Sequence, residues 1–279
     1  MLGDGPSPLA DLLAGKHAFA EVLKNAKRPM IILGHGALTR PDAQAIYEAA
    51  KALALQVGAI TQGWNGLNVL HTAASRVAGL DLGFLPGPRG LASTNMLRGG
   101  VEVLWLLGAD DFALDKIGPD TFVVYQGHHG DAAAKRADII LPGAAYTEKA
   151  GTYVNTAGRV QRAFRAVFPP GEAREDWRII RAFSDVVGHA LPYNTQEGVW
   201  ARMASINPVF GTGYEGENTS PQLAAPETAQ GEWGNKLGST PLKPVIADYY
   251  QTNPISRASP TMAECSRVYS PVRAAVAAE

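Results

Sequence analysis

Phe122-Val123-Val124-Tyr125-Gln126-Gly127-His128-His129-Gly130-Asp131 is the stretch on which the fold turns. Its first four residues are continuously apolar, rich in β-branched and aromatic side chains, and they stop at Gln126-Gly127-His128. A short run without polar alternation is the pattern of a strand buried on both faces. Three further runs have the same character: Met30 to Leu33 ending at Gly34-His35-Gly36, Val101 to Leu107 ending at Gly108-Ala109-Asp110, and Ile139 to Leu141 ending at Pro142. Between them, Pro41 opens a helical pattern through Ala54, a second helix is expected around Val69 to Val77, and a Gly/Pro-rich loop runs from Gly79 to Gly90. Such strands occur in parallel sheets covered on both faces, so the expected class is α/β, a doubly wound and mostly parallel sheet.

Outward from this centre the pattern changes. Residues 1–27 carry Leu12, Leu13, Phe19, Val22 and Leu23 at a spacing that suits one amphipathic helix, a lead-in. In Gly151 to Val167, Tyr153, Val154, Val160 and Phe164 bracket Gly158 as in a hairpin. Residues 172–189 predict a helix with Trp177, Ile180, Phe183, Val186 and Val187 on its apolar face. From Asn207 to Leu242 the chain is rich in Gly, Pro, Ser, Thr, Asn and Gln without a period, which predicts an extended or partly disordered segment. The expected organisation is a lead-in over 1–27, an α/β domain over 28–190, and an irregular C-terminal extension over 191–279 with a short ordered motif near 247–265. No internal repeat is present.

Composition narrows the function. A chain of 279 residues, 46% hydrophobic, can bury one substantial core. Its 25 Lys and Arg against 26 Asp and Glu leave a net charge of -1, which supplies no field for phosphate backbones, so nucleic acid is not an expected partner. Cys265 is the only cysteine, so an intrachain disulfide, a four-thiolate cluster and a Cys-rich zinc site are all excluded. No run approaches the roughly 20 apolar residues that span a bilayer, and the N-terminus lacks the order of a signal peptide. The expectation is a soluble chain, or one peripheral by docking.

Several motifs invite chemistry. Gly34-His35-Gly36 after a strand suggests a dinucleotide site, but the third glycine of that fingerprint falls at Thr39 and the helix opens only at Pro41. Gly127-His128-His129-Gly130-Asp131 sits where open α/β sheets bind ligands. Adjacent histidines seldom point the same way, so the expected reading is a loop held by His hydrogen bonds rather than a metal site. No Gly-x-Ser-x-Gly elbow exists, and a helix N-cap explains Asp110-Asp111 as well as acid–base work does. In the dense region from Ala137 to Gln161, Asp138 and Pro142 bound a strand, Gly151 and Gly158 permit tight turns, and Asn155 and Arg159 are placed to bind backbone or a ligand.

That region, Ala137-Asp138-Ile139-Ile140-Leu141-Pro142, then Glu148, then Gly151-Thr152-Tyr153-Val154-Asn155-Thr156-Ala157-Gly158-Arg159-Val160-Gln161, resembles the molybdopterin oxidoreductase superfamily. It departs at Ala157, where those enzymes often have Glu. Within the superfamily the chain is similar to the family of large iron–sulfur subunits of respiratory complex I, the NADH-quinone oxidoreductase, of the mitochondrial and alphaproteobacterial type. The resemblance rests on Leu106 to Asp110, Tyr125 to Asp131, Leu141 to Lys149, Ala173-Arg174-Glu175-Asp176-Trp177, and Asp248-Tyr249-Tyr250 with Ile255 to Ser259 and Thr261-Met262-Ala263.

The resemblance implies a division of labour. In the full-length subunit an N-terminal region holds 2Fe-2S and 4Fe-4S clusters, while the molybdopterin-like region keeps the fold without the cofactor. Met1 then falls in the middle of the subunit, and the chain is expected to be a fragment or a split gene product. No catalytic or metal residue is expected on it, and Gly151, Thr152, Asn155 and Arg159 form a vestigial molybdopterin-like loop. The implied role is a structural and interaction part of the peripheral arm, without a cofactor of its own. Its implied partners are other arm subunits and the cluster-bearing half, on the cytoplasmic face of the bacterial inner membrane or the mitochondrial matrix side. The alternative is a fragment of a molybdopterin-dependent oxidoreductase that holds its cofactor by the loop, against which Ala157 stands. A stand-alone nucleotide-binding protein is disfavoured by the glycine spacing.

Overall fold

The apolar runs become parallel strands, distributed over two units of the chain. The computed structural model describes residues 3–211 and 236–270. One unit comprises residues 3–77, 154–159 and 236–245, and the other 78–153, 160–211 and 246–270.

In the first unit the lead-in is two short helices, α1 (Pro8–Leu13) and α2 (Phe19–Lys24), instead of the single helix expected. The break has a local cause: Gly15, just past the end of α1, takes the left-handed conformation with φ +66°, which stops a helix. Strand β1 (Ile31–Gly34) leads through a 3-10 turn into α3 (Ala43–Gln56), which buries Ile46, Ala49, Ala50, Leu53 and Ala54 along one face. A small antiparallel pair, β2 (Ile60–Thr61) and β3 (Trp64–Asn65), precedes β4 (Leu67–Leu70). β4 runs parallel to β1, from Ile31 opposite Leu67 to Gly34 opposite Leu70.

The helix expected around Val69 to Val77 is therefore a strand, and α4 (Arg76–Asp81) starts only later. Tertiary pairing overrides the local spacing, because Leu67 and Val69 pack on the cluster of Leu33, Ala37, Ile46 and Ala50. Ile46 alone, 2% exposed, contributes roughly 2 kcal/mol by leaving water.

The second unit continues with α5 (Ser93–Leu97), β5 (Val103–Leu107), β6 (Phe122–Gly127), α6 (Ala132–Arg136) and β7 (Ile139–Pro142). The three strands form a parallel sheet with β6 in the middle, Val103 opposite Phe122 and Tyr125 opposite Ile140. Leu104 and Leu106 of β5 with Val123 and Tyr125 of β6 build its core with Ile117 and Ala133. Beside this sheet in sequence, β8 (Gly151–Val154) and β9 (Val160–Ala163) make a separate two-stranded hairpin, whose turn needs Gly158 at φ +81°. Helix α7 (Asp176–Val186) sets Phe183 edge-on to Trp105, with ring centroids 4.8 Å apart. Val186, expected on its apolar face, is 83% exposed.

After α8 (Gln196–Ile206) the chain enters the segment expected to be irregular; residues 212–235 of it lie outside the described residues. The ordered motif near 247–265 contains a 3-10 turn over Tyr249–Gln251, then α9 (Pro254–Arg257) and α10 (Pro260–Tyr269). Its start signals are strong. Asn253 and Ser256 form a reciprocal capping box, and the Ser259 hydroxyl accepts from the Met262 N–H. The α/β class with parallel sheets holds. Among the described residues no helix is long and apolar enough to cross a membrane.

Candidate functional site

The carboxyl ends of adjacent parallel strands are where open α/β sheets hold ligands. In the second unit, that place is taken by a side chain of the same polypeptide. Beyond β5 the chain turns at Gly108, with φ +58°, and presents Asp110; beyond β6 it presents Asp131, whose Oδ1 accepts from the Ala132 N–H and caps α6. Arg257, the last residue of α9, reaches both. Its Nη2 donates to Asp110 Oδ1 at 2.8 Å and its Nε to Asp131 Oδ2 at 2.6 Å. The Asp110 side chain is only 3% exposed, so this guanidinium compensates a carboxylate removed from water. Asp131 is held below the ordinary carboxyl range, chiefly by its hydrogen bond from Arg257. The helix-cap reading of Asp110 is thus corrected: the cap is Asp131, and Asp110 pairs with a distant arginine.

The histidines behave differently from the expectation of divergent rings. His128 Nδ1 and His129 Nδ1 lie 2.7 Å apart, the rings nearly perpendicular at 88°. Strand alternation does not apply to them because β6 ends at Gly127 and both lie on the following bend. One nitrogen must donate and the other accept, which requires that at least one ring be neutral. The pKa of His128 is lowered by burial, by His129 and by Lys149, against the opposing pull of Glu148 and Asp176. The Tyr125 hydroxyl donates to the His129 carbonyl at 3.3 Å, which holds the bend. Among the described residues no group of three or more His, Cys, Asp or Glu side chains could hold a metal ion.

Beneath the bend lies a polar chain that reading the sequence missed. Gln126 is 0% exposed; its Oε1 accepts from Trp105 Nε1 at 3.2 Å and its Nε2 donates to Asp176 Oδ1 at 2.9 Å. Lys149 forms a salt bridge with the other oxygen of Asp176. The available signal was Gln126 itself, a polar residue continuing an apolar strand. A buried carboxamide needs partners, and helix α7 supplies one.

The four loop residues resolve into local roles. Gly151 and Thr152 lie on β8; a Cβ at Gly151 would meet the Tyr153 ring at 3.1 Å, and the Thr152 hydroxyl is buried without a hydrogen-bond partner among the described residues. In the turn, Asn155 Oδ1 accepts from the N–H groups of Ala157 and Arg159 at 3.0 and 2.9 Å, and the Asn155 N–H donates to the Arg159 carbonyl at 3.1 Å. With its carboxamide oxygen engaged twice, Asn155 closes the hairpin turn. In the first unit, Gly36 also has a structural reason, since a Cβ there would sit 2.4 Å from the Lys243 carbonyl oxygen.

Comparison with known proteins agrees along the length of the chain. Residues 216–265 match the family of NADH-ubiquinone oxidoreductase G C-terminal regions. NADH dehydrogenase [ubiquinone] iron-sulfur protein 1 of Solanum tuberosum mitochondria is 40% identical over 265 residues, 95% of this chain and 35% of its own. The mitochondrial NADH-ubiquinone oxidoreductase 78 kDa subunit of Neurospora crassa is 44% identical over 268 residues, again 95% of this chain and 35% of its own. The 75 kDa subunit of NADH-ubiquinone oxidoreductase from Reclinomonas americana is 40% identical over 270 residues, 96% of this chain and 38% of its own. The chain spans little more than a third of the length of these relatives. Residues 1–186 match the molybdopterin oxidoreductase family, and with well over half of its length covered by that match the chain belongs to this family.

Proposed function

We propose that the chain is a structural and interaction part of the peripheral arm of NADH:quinone oxidoreductase, respiratory complex I, supporting electron transfer from NADH to quinone without holding a cluster itself. The observation that carries this reading is co-linearity: about 95% of the chain aligns with relatives named as subunits of that enzyme, and the two family matches follow in order. The ion pairs at the strand ends support the second half of the reading, since Arg257 engages Asp110 and Asp131 at the ends of β5 and β6, where open sheets hold ligands. In this reading its partners are the cluster-bearing portion of the subunit and neighbouring arm subunits, on the cytoplasmic face of the bacterial inner membrane or the mitochondrial matrix side. No step of the redox chemistry is routed through a residue of this chain.

Complementation tests it. A strain lacking the corresponding C-terminal region of its own subunit is supplied with this chain and assayed for NADH:quinone activity and for an intact arm on native gels. Restored assembly and activity are expected. Failure of the folded chain to associate with any arm subunit when the cluster-bearing portion is present would overturn the proposal.

A further inference from the structure

The Gly/Pro-rich stretch from Gly79 to Gly90 has no part in the functional reading so far, and in the second unit it opens a long exposed loop. Every residue from Gly83 to Asn95 is exposed, from the end of α4 into the first turn of α5. Within it Phe84 is 88% and Leu85 64% exposed, and no large hydrophobic side chain among the described residues is more exposed than Phe84. The loop is nevertheless tied down. The N–H groups of Gly83 and Phe84 donate to the carbonyls of Leu80 and Gly79, both at 2.9 Å, and the Gly90 N–H donates to the Gly87 carbonyl at 2.8 Å. A Cβ on Gly90 would lie 2.8 Å from the Gly87 nitrogen and 3.1 Å from Pro86 Cα, so the turn folds tightly back on the residue after Leu85. Pro86 and Pro88 each fix φ. The far end is rooted by Met96 and Leu97, which pack on the core of the three-stranded sheet.

We propose that this loop is a docking element, with Phe84 and Leu85 as its apolar anchor and Arg89 and Arg98 as its charges, for a protein partner that presents an apolar pocket bordered by carboxylates. The inference rests on the reading of the chain as an interaction part of the peripheral arm, and adds the surface used and the chemistry it recognises. An adjacent Phe and Leu held out in water by so many local ties gain from burial only against another molecule. Because the loop is ordered before contact, little conformational entropy is lost on docking.

Charge decides the kind of partner. Between Asp81 and Glu102 the chain has no acidic residue and two cations, Arg89 and Arg98. Both are exposed, and neither makes a salt bridge among the described residues. The loop therefore carries uncompensated positive charge in the same segment as its apolar pair, and the surface that complements it is acidic. Two arginines are too few for a lipid surface, where attachment takes a cluster of about four to eight Lys and Arg. Aromatic side chains and arginine are instead the residues enriched where proteins meet, and lysine, which is depleted there, is absent between Asp81 and Glu102. A second copy of this chain, with a net charge of -1, supplies no strong acidic field.

The test combines the full chain with the peripheral arm isolated from a strain that lacks the corresponding C-terminal region. With the photo-crosslinking residue p-benzoylphenylalanine in place of Phe84, irradiation of the assembled arm is expected to join that position to one subunit, at a peptide in which apolar residues adjoin Asp or Glu. Phe84→Asp should weaken association about thirtyfold, as loss of an interface anchor does, while its urea midpoint stays that of wild type because the side chain is exposed. Arg89→Gln should flatten the dependence of association on salt. If the wild-type chain does not associate at all, the proposed function falls and this assignment with it. If wild type associates and Phe84→Asp does so equally well, or position 84 gives no crosslink, the docking assignment alone is overturned. Flotation of the full chain with phosphatidylserine vesicles, or a dimer of it in sedimentation, would likewise overturn it where Phe84→Asp abolishes the effect, since the loop would then serve lipid or a second copy.

Discussion

The guanidinium of Arg257 lies 2.8 Å from the carboxylate of Asp110 although 147 residues separate them. The same group meets Asp131 across 126 residues, so one side chain of the C-terminal motif ties together the loops that leave β5 and β6. Arg257→Ala removes the guanidinium paired with a carboxylate that is 3% exposed. We expect a loss of about 2–3 kcal/mol in urea unfolding, below the value for a fully buried pair because Arg257 and Asp131 are partly solvated. Arg257→Lys should recover little, since an ammonium cannot address two carboxylates as a fork does. A variant as stable as wild type would show that the clamp is incidental.

Gln126 joins Trp105 to Asp176 inside the second unit. Gln126→Leu preserves approximate volume but strips a partner from the indole N–H and from the carboxylate. A loss of about 2 kcal/mol is expected from unfolding midpoints, with a change in Trp105 fluorescence. Lys149 retains its bridge to Asp176, so the cost stays below that of a wholly unpaired charge.

Acid titration should single out Asp42. Its hydrogen bond from Arg40, helped by the Gly238 N–H, lowers its pKa from 3.8 to about 2. For a depressed carboxyl the unfolded state binds more protons, so the stabilisation is complete above the unfolded value and is lost as pH falls from 3.8 toward about 2. Carboxyl resonances should show Asp42 still ionised where exposed carboxylates are protonated, and Arg40→Gln should return it toward the ordinary range. Because Arg40 also donates to the carbonyls of Thr240 and Pro241, the same variant should speed hydrogen exchange over 238–242.

The His128–His129 contact predicts a second pH dependence, in a different window. The His128 pKa is lowered from 6.5 by burial first, then by His129 and Lys149. A depressed histidine binds fewer protons folded than unfolded, so its contribution is complete above 6.5 and is lost as pH falls from there to the folded value. Urea midpoints at about pH 7.5 and about pH 5.5 should separate more in wild type than in His128→Gln. Equal separations would show that the contact does not couple to protonation.

Much of the fold was legible because its signals are local. The runs that became β1, β5, β6 and β7 are continuous in sequence, and the hairpin turn needs Gly158 at positive φ whatever surrounds it. β4 was not legible. Leu67 to Leu70 becomes a strand by pairing with β1, and its neighbours suit a helix equally well until that partner is present. The candidate site was half legible: Asp110, His128, His129 and Asp131 follow strand ends and could be marked, whereas Arg257, Lys149 and Asp176 carry no local sign of where their charges go.

The amino-acid order by itself determined the α/β class, the parallel strands, and the likeness to the molybdopterin oxidoreductases. Each of these depends on residues within one turn or one strand of each other. Only the tertiary structure decided which of the 26 acidic residues Arg257 neutralises, that His128 and His129 meet, and that His35 lies beside His71. Charges and imidazoles act over a few ångströms in space and without regard to separation along the chain, so their partners exist only once the strands have found their register.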